Sequence, residues 1–114
     1  MTTPAPSVQV GPFVVGEKPA PLLYTFQDSN GAAIDITGYT AKFLYKERDG
    51  AVATASATVP NPAAGQVQYT WTGGEFPGPG HYLSEFWVGN TSQRWCSVLI
   101  VFDVRTALGP VPNI

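Results

Sequence analysis

The sequence predicts an all-β protein: an immunoglobulin-like antiparallel β-sandwich of about seven strands with extended N- and C-terminal arms. Three observations predict it. Short runs of alternating apolar and polar residues recur along the chain. Turn signals rich in Gly, Pro, Asn and Asp separate them at intervals of about eight to twelve residues. No helical periodicity lasts beyond a turn or two. Jelly rolls and small barrels share this pattern and are the competing architectures. At 114 residues the chain has room for one domain and one core.

The expected division is a Pro-rich arm over 1–12, a sandwich over 13–104 and a second Pro-rich arm over 105–114. Within the first fifteen residues, Val8 to Val15 has strand character but is broken by Gly11-Pro12, which suits an edge. Glu17-Lys18-Pro19-Ala20-Pro21 reads as a stiff connector. Leu22 to Gln27 alternates, with Leu22, Tyr24 and Phe26 on one face. Asp28-Ser29-Asn30-Gly31 is a turn, because Asp and Asn bond their local backbone and Gly accepts positive φ. Ile34-Asp35-Ile36-Thr37-Gly38 leads into a strand from Tyr39 to Lys46, on which Ala41, Phe43 and Tyr45 share a face. Lys46 to Gly50 is a solvated, charged turn. Ala51 to Val59 is a strand of small residues, expected at an edge and weakly packed. Gln66 to Thr72 alternates cleanly, with Val67, Tyr69 and Trp71 inward.

Gly80 to Val104 reads as a long hairpin around a Gly89–Gln93 loop. A register with Val88 opposite Arg94 sets Trp87 against Trp95, Leu83 against Leu99 and His81 against Val101. One face then carries Leu83, Trp87, Trp95, Leu99 and Val101. The other carries Tyr82, Phe86, Val88, Cys96, Val98, Ile100 and Phe102. A sheet in a sandwich needs one apolar face, since its other face is normally solvated. The surplus face is therefore the expected interface. Contact with protein is favoured there over stacking on sugar rings.

Composition supports this reading. Charged residues make up 12% of the chain, about half the share usual in soluble domains, and 44% is hydrophobic. A net charge of −2 offers no basic field for nucleic acid or membrane. Cys96 has no disulfide partner in the chain and is expected as a small buried hydrophobe. His81 lacks neighbours at metal-ligand spacing, and the Asp28 turn lacks the later ligands of a calcium loop. No nucleophile pair, carboxylate pair or phosphate cradle is legible, so the expectation is a protein with no catalytic residues, cofactor or metal. Asn90-Thr91-Ser92 matches a glycosylation sequon, but no secretory signal precedes it, and no apolar run reaches membrane length. Synthesis in a reducing cytoplasm is expected.

The residues also resemble a known family. Phe13 to Asp28, and then Asn30-Gly31-Ala32-Ala33-Ile34-Asp35-Ile36-Thr37-Gly38-Tyr39-Thr40-Ala41-Lys42-Phe43, give a strand, an Asp-x-x-Gly turn, an Ile-Asp-Ile-Thr-Gly corner and a further strand. Gly65-Gln66-Val67-Gln68-Tyr69 and Gly80-His81-Tyr82-Leu83-Ser84-Glu85-Phe86 add two strand starts. Over residues 13 to 88 this resembles the N-terminal domain of tailed-phage baseplate upper proteins and small related virion proteins. The resemblance implies an immunoglobulin-like sandwich and a structural role in a virion, among capsid, head–tail or baseplate partners in a symmetric assembly. The chain stops soon after this domain, without the long extension such proteins use to hold receptor-binding partners. That favours a capsid decoration or small head/tail accessory protein over a baseplate component. A glycan-binding adhesion module is the alternative from another class.

Overall fold

The computed structural model describes residues 8–112. It is all-β, with strands β1 (Val8–Gln9), β2 (Phe13–Val14), β3 (Leu22–Thr25), β4 (Thr40–Glu47), β5 (Ala53–Asn61), β6 (Gln66–Tyr69), β7 (Gly80–Gly89), β8 (Arg94–Cys96) and β9 (Ile100–Arg105). A single 3₁₀ turn, Pro62–Ala64, joins β5 to β6. The strands form one curled sheet in the order β1-β9-β7-β4-β5-β6-β3, with β2 also on β9 and β8 on β7. The β3–β6 end folds back over β4 and β7, so two layers enclose one core. Phe43 of β4 stacks on Tyr69 of β6 at 4.4 Å between ring centroids, and Tyr24 of β3 stacks on Phe86 of β7 at 6.2 Å.

The expected inward faces are the ones buried. Phe26, Ala41, Phe43, Val67, Tyr69 and Trp71 all belong to the core. Trp71, Phe76, Phe13 and Phe102 close one end, with Phe13 and Phe76 stacked at 5.4 Å. Each such aromatic pair adds about 0.5–1.5 kcal/mol beyond area burial. The Asp28 turn forms as its residues dictate: Asp28 Oδ1 accepts the amides of Asn30 and Ala32, and Gly31 takes φ +81°. At the Ile34–Gly38 corner, Asp35 accepts the amide and hydroxyl of Thr37, and Ile36 is fully buried.

Three expectations are corrected. The small-residue strand is not at an edge: β5 lies between β4 and β6 and runs through both layers. Its small side chains leave room for the rings of Phe43 and Tyr69 on the neighbouring strands, and its pairing with β6 shifts register between Thr58 and Asn61, where the sheet turns over. The N-terminal arm gives way to sheet sooner than expected. Val8–Gln9 pairs in parallel with Ile100–Val101, so part of the 1–12 segment is sheet, while 1–7 lies outside the described residues. In the expected C-terminal arm, Arg105 still belongs to β9, and Val111 rests on Gly16.

The third correction is the hairpin register. Gly89 pairs with Arg94, Val88 with Trp95 and Trp87 with Cys96. The loop has four residues: Asn90 Oδ1 accepts the amides of Ser92 and Gln93, and the Asn90 amide donates to Gln93. One residue fewer in the loop moves every β8 side chain to the opposite face. A bulge follows. From Trp87 to Ser84 β7 advances three residues, while the returning chain advances four from Cys96 to Ile100. The Ser97 hydroxyl accepts the Phe86 amide inside the bulge, so that donor is not left open. Beyond it Leu83 pairs with Val101 and His81 with Asp103.

Candidate functional site

Residues directly opposite in an antiparallel ladder share a face. On the outer side of the sheet, away from the core, Lys42 of β4, Trp87 of β7 and Cys96 of β8 form one row. Leu44 and Glu85 form the next, and Lys46, Leu83 and Val101 the one after. Of the five residues expected to make an interface, Leu83, Trp87 and Val101 lie on this face. Leu99 joins them, since it lines a hollow of about 170 Å³ together with Leu44, Lys46, Val52, Leu83 and Glu85. Trp95 does not. It sits opposite Val88 on the other side of the ribbon, 36% exposed.

Glu85 divides the outer face in two. On one side lies the apolar hollow, where Val52 is 57% and Leu99 41% exposed. On the other lies a wider hollow of about 680 Å³, lined by Gly38, Thr40, Lys42, Trp87, Gly89 and Arg94 with residues of the hairpin loop. Gly89 opens this second hollow. It stands between Thr40 and Arg94 on the outer face and contributes no side chain.

Glu85 also fixes its neighbours. Its carboxylate accepts a hydrogen bond from Trp87 Nε1, which orients the indole. Cys96, expected in the core, is exposed on this face because of the register shift. Partial desolvation, and then the charge and hydrogen bond of Glu85, push its thiol up to about 11. The thiolate is the reactive species, so alkylation at pH 8 should run about a hundredfold slower than for an unperturbed cysteine. Iodoacetamide kinetics on the wild type and on Glu85→Gln test this; equal rates in the two would show that Glu85 plays no part.

His81 Nδ1 meets Asp103 Oδ1 at 2.6 Å on the outer surface, a cross-strand pair in place of the expected Val101 neighbour. Among the described residues, no three His, Cys, Asp or Glu side chains gather where they could hold a metal ion. No helix among them is long and apolar enough to cross a membrane. Sequence reasoning missed Glu75, a carboxylate 2% exposed in the turn after β6. It accepts the Tyr69 hydroxyl at 2.6 Å, the Thr72 amide at 2.8 Å and the Gly73 amide at 3.0 Å, so its acceptors are taken up in holding that turn.

Fold and surface together define a small all-β domain whose outer sheet face is partly apolar and open to solvent. A family model described as the BppU N-terminal domain matches residues 25–111, and the chain belongs to that family. This is the N-terminal domain of the phage baseplate upper protein, which makes the chain a phage baseplate-associated structural protein. The match bears out the resemblance from residue 25 to residue 88 and extends it through β9. Membership implies a place in the virion and interaction with other virion proteins. No curated protein matches the chain.

Proposed function

We propose that this domain is a non-enzymatic baseplate component held in place by the apolar half of its outer face. The supporting observation is the hollow walled by Leu44, Leu83, Val52 and Leu99, which turns apolar side chains away from a core that is already complete. Burying a Leu or Val side chain contributes about 1.5–3 kcal/mol before association costs. Four or five such residues suit the centre of an interface of about 800 Å² per partner. The occupant is an apolar protrusion of a neighbouring virion protein, repeated with the symmetry of the particle. Family membership favours the baseplate over the capsid decoration role expected from the sequence.

Leu83→Ser/Leu99→Ser should leave the circular dichroism spectrum unchanged and reduce incorporation into particles by about tenfold or more. Quantitative immunoblotting of purified particles measures it. Wild-type incorporation of the folded variant would overturn the docking face.

A further inference from the structure

The hollow over Gly89 has a chemistry of its own, and the geometry points to a binding site there for an anionic saccharide, a sugar ring bearing an acidic group. The indole of Trp87 forms one wall, 37% exposed and held in orientation by Glu85. An aromatic face with a polar rim is the surface on which the C–H faces of a sugar ring stack. Lys42 stands directly opposite Trp87 and Arg94 directly opposite Gly89. These are two of the six Lys and Arg residues of a chain with net charge −2, and no carboxylate lines the hollow. Both line the hollow, and an acidic substituent seated over Gly89 would draw Lys42 from its bond to Ser56 on β5 to join Arg94; bonds to ionised donors are the stronger ones. Two other polar groups are near. Ser56 Oγ lies 3.3 Å from Lys42 Nζ, and Glu85 sits one row away towards the apolar hollow.

The site is preformed. A Cβ on Gly89 would lie 3.0 Å from Arg94 Cγ, so the arginine stem lies close over the glycine backbone. The loop forming the far wall is braced by the Asn90 bonds and by Tyr39, whose hydroxyl donates to Gln93 Oε1 at 2.7 Å. With Asn90 Oδ1 so engaged, its NH₂ remains to donate, beside the hydroxyls of Thr40 and Thr91. A rigid wall reduces the ordering cost of binding. The hollow's volume lies within the range of about 300–1,000 Å³ usual for small-molecule sites. This inference does not depend on the apolar docking half, which lies on the other side of Glu85.

The test is titration of the full chain with hyaluronan tetrasaccharide, followed by tryptophan fluorescence and amide NMR shifts. Chitotetraose serves as the neutral sugar and hexaglutamate as the acidic peptide. A saturable response to hyaluronan with Kd below about 1 mM is expected. Affinity should fall by about tenfold or more in Trp87→Ala and in Lys42→Gln/Arg94→Gln, while Trp95→Ala binds as wild type. Should Trp87→Ala fail to fold, Trp87→Phe keeps a stacking ring and is expected to keep binding. The proposal is overturned by no saturable response, by equal affinity for chitotetraose, by wild-type affinity in the charge variant, or by hexaglutamate binding at least as tightly. The last result would assign the hollow to an acidic protein partner.

Discussion

Gly65→Ala lowers the melting temperature by about 10–15 °C, a cost of about 3 kcal/mol, in thermal unfolding followed by circular dichroism. Gly65 ends the 3₁₀ turn between β5 and β6 in the left-handed conformation, φ +70° and ψ +20°. That region costs a residue with a Cβ about 1–2 kcal/mol. Space adds to the cost. The new Cβ would lie 2.6 Å from the Phe26 carbonyl oxygen and 2.7 Å from that of Ile34, both backbone atoms with no rotamer to relieve the contact. The same junction carries the bonds Phe26 N–H to Gly65 O, Ile34 N–H to Phe26 O and Ile36 N–H to Pro62 O. Pushing it open pulls buried Phe26 and Ile36 out of register with the core. Gly31→Ala separates the two causes: φ is +81° there, but nothing lies within 4 Å of the added carbon. That variant should lose only about 1 kcal/mol. Equal losses in the two variants would leave the close approach with no part in stability.

How much of this was legible depends on how local each determinant is. The Asp28 turn, the Ile36 corner and the inward rows of β3, β4 and β6 follow from side chains acting within a few residues, and each forms as its sequence dictates. The hairpin was legible as a pair of strands, while its register hung on one residue of loop length. Asn90-Thr91-Ser92-Gln93 carried the missing signal, since Asn at the first position of a four-residue loop can bond the amides two and three residues on. Counting Gly89 into the loop put Trp95 beside Trp87 and Cys96 in the core. The bulge at Ser97–Leu99 had no such signal, because it answers to β7 pairing with two different strands along its length.

The candidate site was half legible for the same reason. Leu83, Trp87, Leu99 and Val101 do share the outer face, and the surplus of apolar residues was readable. Its division by Glu85 into an apolar and a cationic half was not, because Leu44, Lys42 and Arg94 reach the face only through the pairing of β4, β7 and β8. The interior position of β5 misled for another reason. By composition alone a run of alanines reads as weak packing, whereas here it marks where the sheet curls around large rings on its neighbours. The parallel pairing of β1 and β2 with β9 joins opposite ends of the chain, which no local pattern encodes.

Glu75→Gln should cost about 3 kcal/mol at pH 7, measured by urea denaturation, and its penalty should shrink as the pH falls. In the folded protein the Glu75 carboxylate receives the Tyr69 and Thr72 hydroxyls and the amides of Thr72 and Gly73. A carboxamide offers one oxygen and turns its NH₂ towards donors, which leaves buried N–H or O–H groups facing each other. Burial alone would raise the Glu75 pKa, but the bonds from Tyr69 and Thr72 outweigh it and hold the carboxyl below its ordinary value. The unfolded chain therefore takes up this proton first on acidification. The stability Glu75 contributes is complete above the ordinary glutamate value of about 4.3 and is lost as the pH falls through the lower folded value. Tyr69 works in the opposite direction at the alkaline end. Burial, and then the hydrogen bond and charge of Glu75, push its phenol well above the usual range. Its contribution is full below about pH 10 and lost as the pH rises beyond it. Wild type should thus lose stability at both extremes, while Glu75→Gln shows a flatter acid limb. A stability difference between the two proteins that stays constant from pH 7 to about pH 3 would mean that the folded turn does not hold the Glu75 carboxyl below its ordinary value.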